Sequence, residues 1–152
     1  MYTPTSTVAA PTTKDPEMLS SMRIAASGTV ISGTNSVTYD TEVDTAGDGF
    51  LARFDGPARA IRCGLAIRDA LRDLDIEIRV GIHTGEVERT RSGPRGIAVH
   101  IASRILSLAE PGEVVVSQTT RDLVEGSGIS LTDRGEHQLK GIEGPRRVYS
   151  AG

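Results

Sequence analysis

Apolar and polar positions alternate in a clear pattern only after about residue 40 of the 152-residue chain. Residues 1–22 are rich in Thr, Ser and Pro and have no apolar period, which predicts disorder. Residues 27–39 have β-branched side chains on both sides of a Gly-Thr-Asn turn, which favours a weak hairpin. We therefore predict an atypical, partly disordered segment at 1–41 and a folded domain at 42–152.

The first part of the folded domain combines short strands with one long helix. The pattern from Glu42 to Phe54 predicts two strands that turn at a Gly-Asp-Gly sequence centred on Asp48. Apolar residues then recur every three or four positions from Pro57 to about Leu74, which predicts an amphipathic helix with proline at its first position. The following segment, IEIRVGIHTGEVERT, alternates on both sides of Gly85 and predicts a second hairpin.

The C-terminal half repeats this mixture of helices and strands. The pattern predicts, in chain order, a helix in GIAVHIASRILSLAEPGE, a buried strand in EVVVSQ, a short helix in TTRDLVEG, a strand pair in ISLTDRGEHQLKG and a closing strand in RRVYSA. Strand pairs that alternate with helices are typical of the α+β class. We predict a two-layer α+β sandwich: a mostly antiparallel sheet with helices on one face.

Composition and charge exclude several classes of function. The net charge is −3 and no run of basic residues occurs, which argues against nucleic-acid binding. No apolar run approaches the ~20 residues that cross a bilayer, so we expect no membrane partner. The single Cys63 excludes a disulfide framework, and the N-terminus lacks the order of a secretion signal. These features predict a cytoplasmic protein.

Six segments carry a resemblance to a known family. They are, in order between Glu42 and Ala151, TAGDGFLARFDGPARAIRCGLAIRDAL, RVGIHTGEV, GIAVHIASRI, GEVVVS, LTDRGEHQLKG and RRVYSA. Together they resemble the catalytic domain of class III nucleotide (adenylate or guanylate) cyclases, in particular the bacterial, mycobacterial-type adenylate cyclases. The resemblance implies the ferredoxin-like cyclase fold, ATP as substrate, cyclic AMP as a signalling product, and a homodimer or a pairing with another cyclase chain.

The chemistry of such a cyclase explains why one carboxylate stands in the Gly-Asp-Gly turn. The ribose 3′-hydroxyl attacks the α-phosphorus and pyrophosphate leaves, so the protein mainly positions groups and neutralises charge. The resemblance implies that Asp48 is one of two carboxylates that hold Mg²⁺ or Mn²⁺ ions. Without the resemblance, Asp48 would be interpreted as a favoured hairpin residue.

The resemblance also implies nucleotide contacts from the second half of the chain. Arg104 matches an arginine that stabilises charge on the reacting phosphates, and Lys140 matches a lysine that reaches the triphosphate. His100, one helical turn before Arg104, replaces an Asn that orients the ribose. Without the resemblance, Arg104 and Lys140 would be ordinary solvated cations. We interpret His83 and Glu86 as structural residues and not as a metal pair.

Three departures from the family pattern concern the metal ions and the base. No counterpart of the family's first metal-binding strand, which carries the other Asp, occurs before residue 43. Asp44, assigned here to nucleotide binding, stands where adenine-selecting cyclases often have Lys, and the base-selecting carboxylate aligns with Gly93 or Pro94. We therefore expect an incomplete, impaired adenylate cyclase domain; the alternative is a catalytically silent module that binds a nucleotide or dimerises.

Overall fold

The computed structural model describes residues 21–26, 42–46, 49–91 and 93–152. Its helices and strands are, in chain order, β1 (Ser21–Ala26), β2 (Glu42–Ala46), β3 (Gly49–Phe54), α1 (Pro57–Arg72), β4 (Arg79–Thr84), β5 (Glu88–Thr90), β6 (Gly93–Arg95), α2 (Ile97–Leu106), β7 (Val114–Ser117), α3 (Gln118–Leu123), β8 (Leu131–Gln138) and β9 (Pro145–Ala151). Disorder was predicted for residues 1–22: this is wrong for Ser21 and Met22, which belong to β1, and residues 1–20 lie outside the described residues, as does the predicted hairpin at 27–39.

One seven-stranded sheet, in the order β2-β3-β1-β4-β7-β9-β8, forms the centre of the molecule. Strand β1 pairs in parallel with β3 and β4, and β4 pairs in parallel with β7. The β2–β3, β7–β9 and β8–β9 pairs are antiparallel. The predicted α+β class is confirmed, but the sheet is mixed and not mostly antiparallel, because the crossover through α2 returns the chain to β7 in the direction of β4.

Helices cover both faces of this sheet. Val114 and Val116 pack towards α1, and Val115 between them packs towards α2, as expected for alternating side chains of a strand. The prediction that all helices lie on one face is therefore wrong. The physical reason is that β7 is apolar on both sides and needs cover on both.

Two hydrophobic cores result, one under each main helix. The α1 core consists of Ala52, Phe54, Ala60, Ile61, Ile78, Val80, Ile82, Val114, Val116, Val124 and Ala151. The α2 core consists of Ile101, Ile105, Ala109, Val115, Leu139, Ile142 and Val148. The apolar residues that predicted α2 enter or line its core, and those that predicted α1 do so up to Leu71, whereas Leu74 lies beyond the helix and is exposed.

Strand β1 is an interior strand of the sheet, although it lies within the segment 1–41 that the sequence set apart. It occupies the position between β3 and β4, with Ser21 opposite both Gly49 and Arg79. Its sequence, SMRIAA, is short and has no alternation of apolar and polar residues, so nothing in the pattern marked it as a strand.

The predicted hairpins have different outcomes. The β2–β3 pair is confirmed, with Ala46 opposite Gly49. The hairpin expected around Gly85 is wrong, because β5 pairs with β6 in a separate two-stranded ribbon. The strand pair expected in ISLTDRGEHQLKG is also wrong, since this segment forms the single strand β8, whose partner is β9.

Strand β8 forms one edge of the sheet and is irregular in its middle. Its register against β9 shifts between Asp133 and Glu136, where Gly135 has a φ of 79°. The Gly135 N–H donates to Asp133 Oδ1 at 2.7 Å, and Arg147 Nη1 donates to Asp133 Oδ2 at 2.5 Å. The irregularity is thus a bulge fixed by side-chain contacts.

Helix α2 lies unusually close to β4, and Gly81 makes this possible. A Cβ atom at Gly81 would stand 2.4 Å from the backbone N of Leu106, 2.6 Å from its Cα and 2.7 Å from the carbonyl oxygen of Ala102. All three atoms belong to the helix backbone, which cannot move aside as a side-chain tip can. The helix rests on the strand backbone here, so this contact sets the position of α2.

Replacing Gly81 with alanine should therefore destabilise the fold strongly. We expect Gly81→Ala to lower the free energy of unfolding by about 3 kcal/mol or more, because the new methyl group forces α2 away from β4. Urea denaturation followed by circular dichroism measures this loss. Gly56→Ala is the matched control: its Cβ would meet nothing within 4 Å and its φ of −156° suits any residue. A loss below about 1 kcal/mol is expected there; similar losses in both variants would contradict the close contact.

Candidate functional site

Helix α2 presents two of the predicted site residues away from its buried face. Ile101 and Ile105 enter the α2 core, whereas Arg104 is half-buried and His100 is exposed. Residues three and four apart on a helix lie on one side, so His100 and Arg104 follow each other along the same flank. The contact at Gly81 fixes the height of this flank above the sheet.

The turn between β8 and β9 carries Lys140 to the same helix. Leu139 and Ile142, on either side of Lys140, are buried in the α2 core against Ile101 and Ile105. Gln138 Nε2 donates to the carbonyl oxygen of Ile142 at 3.0 Å and closes the turn. Lys140 itself is exposed. The structure thus brings His100, Arg104 and Lys140 to one corner of the molecule, which we call the cationic corner.

The charges of the cationic corner are not neutralised within the described residues. Neither Arg104 nor Lys140 forms an ion pair there, although many arginines elsewhere do. Those paired with a carboxylate are Arg59, Arg68, Arg72, Arg121, Arg134 and Arg147. Unpaired cations on neighbouring elements are suited to an anionic ligand, which a guanidinium binds through two N–H groups and an ammonium as a point charge.

The remaining predicted site residues lie elsewhere. Asp44 is part of β2, opposite Leu51 of β3. Asp48 comes between β2 and β3 in the chain, and residues 47–48 lie outside the described residues. The structure therefore shows where the β2–β3 hairpin stands, but the prediction that Asp48 holds a metal ion stays a prediction.

The β2–β3 hairpin and the Lys140 turn of the cationic corner occupy diagonally opposite positions on the sheet. Strands β2 and β8 are its two edges, so six strand spacings of about 4.8 Å separate them by roughly 29 Å. They also lie at opposite ends of the parallel strands. Gly49 and Arg79, at the start of β4, both pair with Ser21, whereas the Lys140 turn lies beyond Ser117 at the end of β7. One chain therefore does not bring the Lys140 turn and the β2–β3 hairpin to one small ligand, whereas α2, which carries His100 and Arg104, packs over β1 and β4 in the middle of the sheet.

A cluster of buried polar side chains joins the end of β4 to the start of α3. His83 Nδ1 and Ser117 Oγ are hydrogen-bonded at 2.8 Å, and Thr120 Oγ1 lies 3.0 Å from both Ser117 Oγ and Thr84 Oγ1. Ser117 also caps α3 by accepting the Thr120 N–H at 3.2 Å. The interpretation of His83 as structural is confirmed. The Ser-x-x-Thr spacing after a buried strand was the sequence signal for this cap.

Burial controls the protonation of His83. The side chain is only 8% exposed, and desolvation together with the positive charge of Arg146 lowers the pKa of His83 to about 4. The imidazole is therefore neutral at physiological pH. It acts as a hydrogen-bonding partner of Ser117 and not as a charged group.

The described residues contain no group of three or more His, Cys, Asp and Glu side chains that could hold a metal ion. Strand β1, which lies beside β3 of the hairpin, has the sequence SMRIAA and thus no carboxylate. In the part of the chain that the structure describes, no helix is long and apolar enough to cross a membrane.

Comparisons with known proteins agree on one family. The model of the adenylate and guanylate cyclase catalytic domain matches residues 35–150. The putative adenylate cyclase 3 of Rhizobium meliloti is 34% identical over 113 residues, which cover 68% of this chain and 19% of that protein. An uncharacterized protein of Mycobacterium tuberculosis is 37% identical over 106 residues, which cover 67% of this chain and 36% of that protein. The chain thus spans only about a fifth to a third of these relatives.

Solved structures show the same fold. An adenylate/guanylate cyclase/hydrolase from Silicibacter pomeroyi superimposes with a TM-score of 0.67 at 32% identity, over 74% of this chain and 73% of that one. The adenylyl cyclase CyaB from P. aeruginosa gives a TM-score of 0.63 at 24% identity, over 75% and 72%. The second likeness, at its low identity, concerns the fold alone.

The buried state of His83 predicts a pH dependence of stability. Its pKa is about 4 in the folded chain and about 6.5 in the unfolded chain. Between these values the unfolded chain binds a proton that the folded chain does not, so stability falls as the pH is lowered. The contribution is complete above pH 6.5, and about 3 kcal/mol should be lost by pH 4.

Urea unfolding at a series of pH values measures this loss. In His83→Asn, whose amide keeps a polar group near Ser117 but does not titrate, the slope between pH 6.5 and about 5 should largely disappear. Asp69 and Glu113 also have lowered pKa values, but they start from 3.8 and 4.5 and so act below this range. Equal slopes in the two proteins would show that the His83 imidazole is protonated in the folded state.

Proposed function

Because the chain belongs to the adenylate and guanylate cyclase catalytic domain family, we propose that it is an adenylate cyclase-type domain that is incomplete on its own. Its substrate is ATP and its products are cyclic AMP and pyrophosphate. In our proposal the chain acts in the cytoplasm and contributes mainly the phosphate-binding half of an active site. The observation that carries this proposal is the cationic corner, whose charges lack partners among the described residues and whose Lys140 turn lies far from the β2–β3 hairpin.

The proposed roles follow from the chemistry of cyclisation. The ribose 3′-oxygen loses its proton and bonds to the α-phosphorus, while the bond from that phosphorus to the bridging oxygen breaks and pyrophosphate leaves with the electrons. Negative charge grows on the departing phosphates, where Arg104 and Lys140 stabilise it. His100 donates a hydrogen bond that orients the ribose. Asp44 contacts the base.

A pair of divalent ions would supply positive charge to the reacting phosphates, and the residues of this chain fit such a pair poorly. Asp48 supplies one carboxylate at the turn of the hairpin. The neighbouring strand β1 supplies none. Mg²⁺ prefers several oxygen ligands and gives up its waters reluctantly, so one carboxylate retains a second ion weakly. We therefore propose that the chain alone turns over slowly.

The distance between the β2–β3 hairpin and the Lys140 turn supports a site shared between chains. A two-fold axis would set the hairpin of one chain against the cationic corner of its partner and would form two such sites. A homodimer repeats the weak metal half-site. A partner that carries both metal-binding carboxylates provides one complete site opposite the cationic corner of this chain.

The carboxylate-free strand β1 also favours a second candidate function. In this reading the chain is a catalytically silent module that binds a nucleotide or pairs with an active cyclase chain. Like the incomplete cyclase proposed first, this module would bind phosphate at the cationic corner. Unlike the incomplete cyclase, the silent module forms no cyclic AMP with any partner chain.

A mixing experiment tests these two readings. We expect the purified chain with ATP and Mn²⁺ to form cyclic AMP at least about 10² times more slowly than a complete class III cyclase. Mixing it with a class III cyclase subunit that retains both metal carboxylates but lacks its own counterpart of Arg104 should produce activity that neither chain has alone. A radiometric cyclic AMP assay measures this, with GTP in parallel to test the choice of base.

The controls use two arginines of the same chain. Arg104→Ala should abolish the activity of the mixture, whereas Arg147→Ala, which removes an arginine paired with Asp133, should leave it unchanged. A mixture that stays inactive although ATP binds favours the silent module. Rapid turnover by the chain alone, lost in Asp48→Ala, contradicts the proposed impairment and indicates a complete homodimeric enzyme.

A further inference from the structure

Arg146, at the start of β9, is an arginine to which neither the sequence nor the family resemblance gives a role. We propose that Arg146 is a further anion-binding residue of the cationic corner, where its guanidinium contacts the phosphate chain of the bound nucleotide. This inference rests on the proposed function, since it extends the same site. It is carried by the direction of the Arg146 side chain, by what lies next to it and by the partners that it lacks.

The register of β9 shows to which face of the sheet the Arg146 side chain belongs. Val148 is buried in the α2 core and pairs with Ser117 at the end of β7. Side chains two residues apart on a strand lie on the same face, so Arg146 is on the α2 side of the sheet. It stands beyond the end of β7, opposite His137 of β8 and next to the β8–β9 connection that carries Lys140.

The neighbour of Arg146 confirms this placement. His83 lies under the start of α2: a Cβ atom on Gly85 would stand 2.9 Å from Ala98 Cβ and 3.4 Å from His83 Nε2. The charge of Arg146 acts on this imidazole and lowers the pKa of His83. This effect agrees with the register of β9, which puts Arg146 on the face of the sheet that α2 covers.

Arg146 lacks a carboxylate partner among the described residues. Its only hydrogen bond there is from Nη2 to the carbonyl oxygen of Glu143 at 3.4 Å, a long contact to a neutral acceptor. The adjacent Arg147 instead binds Asp133 at 2.5 Å, with Glu136 at 3.9 Å. Both arginines are exposed, and they lie on opposite faces of β9. The difference in their carboxylate partners therefore comes from the residues that surround each side chain.

A shortage of carboxylates does not explain this difference. The chain has 20 Asp and Glu against 17 Lys and Arg, yet none of the described carboxylates forms an ion pair with Arg104, Lys140 or Arg146. Like charges held near each other repel, and a ligand with several negative charges relieves that repulsion. A polyphosphate matches this arrangement, because it offers successive anionic groups to successive cations.

Binding of inorganic tripolyphosphate to the full chain tests the inference. By isothermal titration calorimetry at fixed low salt, we expect Arg146→Gln to weaken binding about tenfold, the size expected for one charge-assisted contact. Arg147→Gln is the matched control, since it removes the same charge one residue away, and it should change affinity by less than about twofold. Arg104→Gln serves as the reference for the proposed site itself.

The outcomes separate this inference from the proposed function. Binding that depends on Arg104 but not on Arg146 overturns the role of Arg146 and leaves the proposed function in place. Equal losses in Arg146→Gln and Arg147→Gln also overturn it, because they indicate a general effect of charge. No binding to the wild type at millimolar tripolyphosphate contradicts both proposals.

His83 provides an independent reporter of the same contact. In the wild type, bound tripolyphosphate should offset the positive charge of Arg146, so the pKa of His83, followed by NMR of the imidazole, should rise. In Arg146→Gln, bound tripolyphosphate should change the pKa of His83 much less. A pKa that does not respond in the wild type, although tripolyphosphate binds, would place the anion away from Arg146 and overturn the inference.

Discussion

The backbone contact between α2 and β4 at Gly81 determines where the proposed site residues stand. Because no side chain separates helix and strand there, α2 has one height above the sheet. Ile101 and Ile105 of that helix then provide the surface on which Leu139 and Ile142 pack. The positions of Arg104 on this helix and of Lys140 beside Leu139 therefore depend on a residue that has no side chain and touches no ligand.

The sheet separates the two halves of the proposed chemistry. Its strand order puts the hairpin with Asp48 at one edge and the Lys140 turn at the other, and its parallel pairs put them at opposite ends. A change in the helix covering either face would not shorten that distance. This separation is the physical basis of the proposal that a second chain completes the site.

The sequence predicted the elements whose signals are local. The turn glycines of β2–β3, the periodicity of α1 and α2, and the apolar run of β7 each specify a short element by itself. Strand β1 was missed because SMRIAA has no pattern of its own and is a strand only through pairing with β3 and β4. The partner of β8 and the second helix-covered face were missed for the same reason, since both depend on contacts between distant segments. The partners that arginines gain or lack are likewise visible only in the fold.

The bulge in β8 has a consequence for assembly. A regular edge strand offers an unbroken row of free N–H and C=O groups, which another chain can extend into a longer sheet. At Gly135 the row is interrupted and its N–H is already bound to Asp133. Growth of the sheet from copy to copy is thereby disfavoured at this edge, so the protein can meet a partner through its corners without also polymerising into fibres.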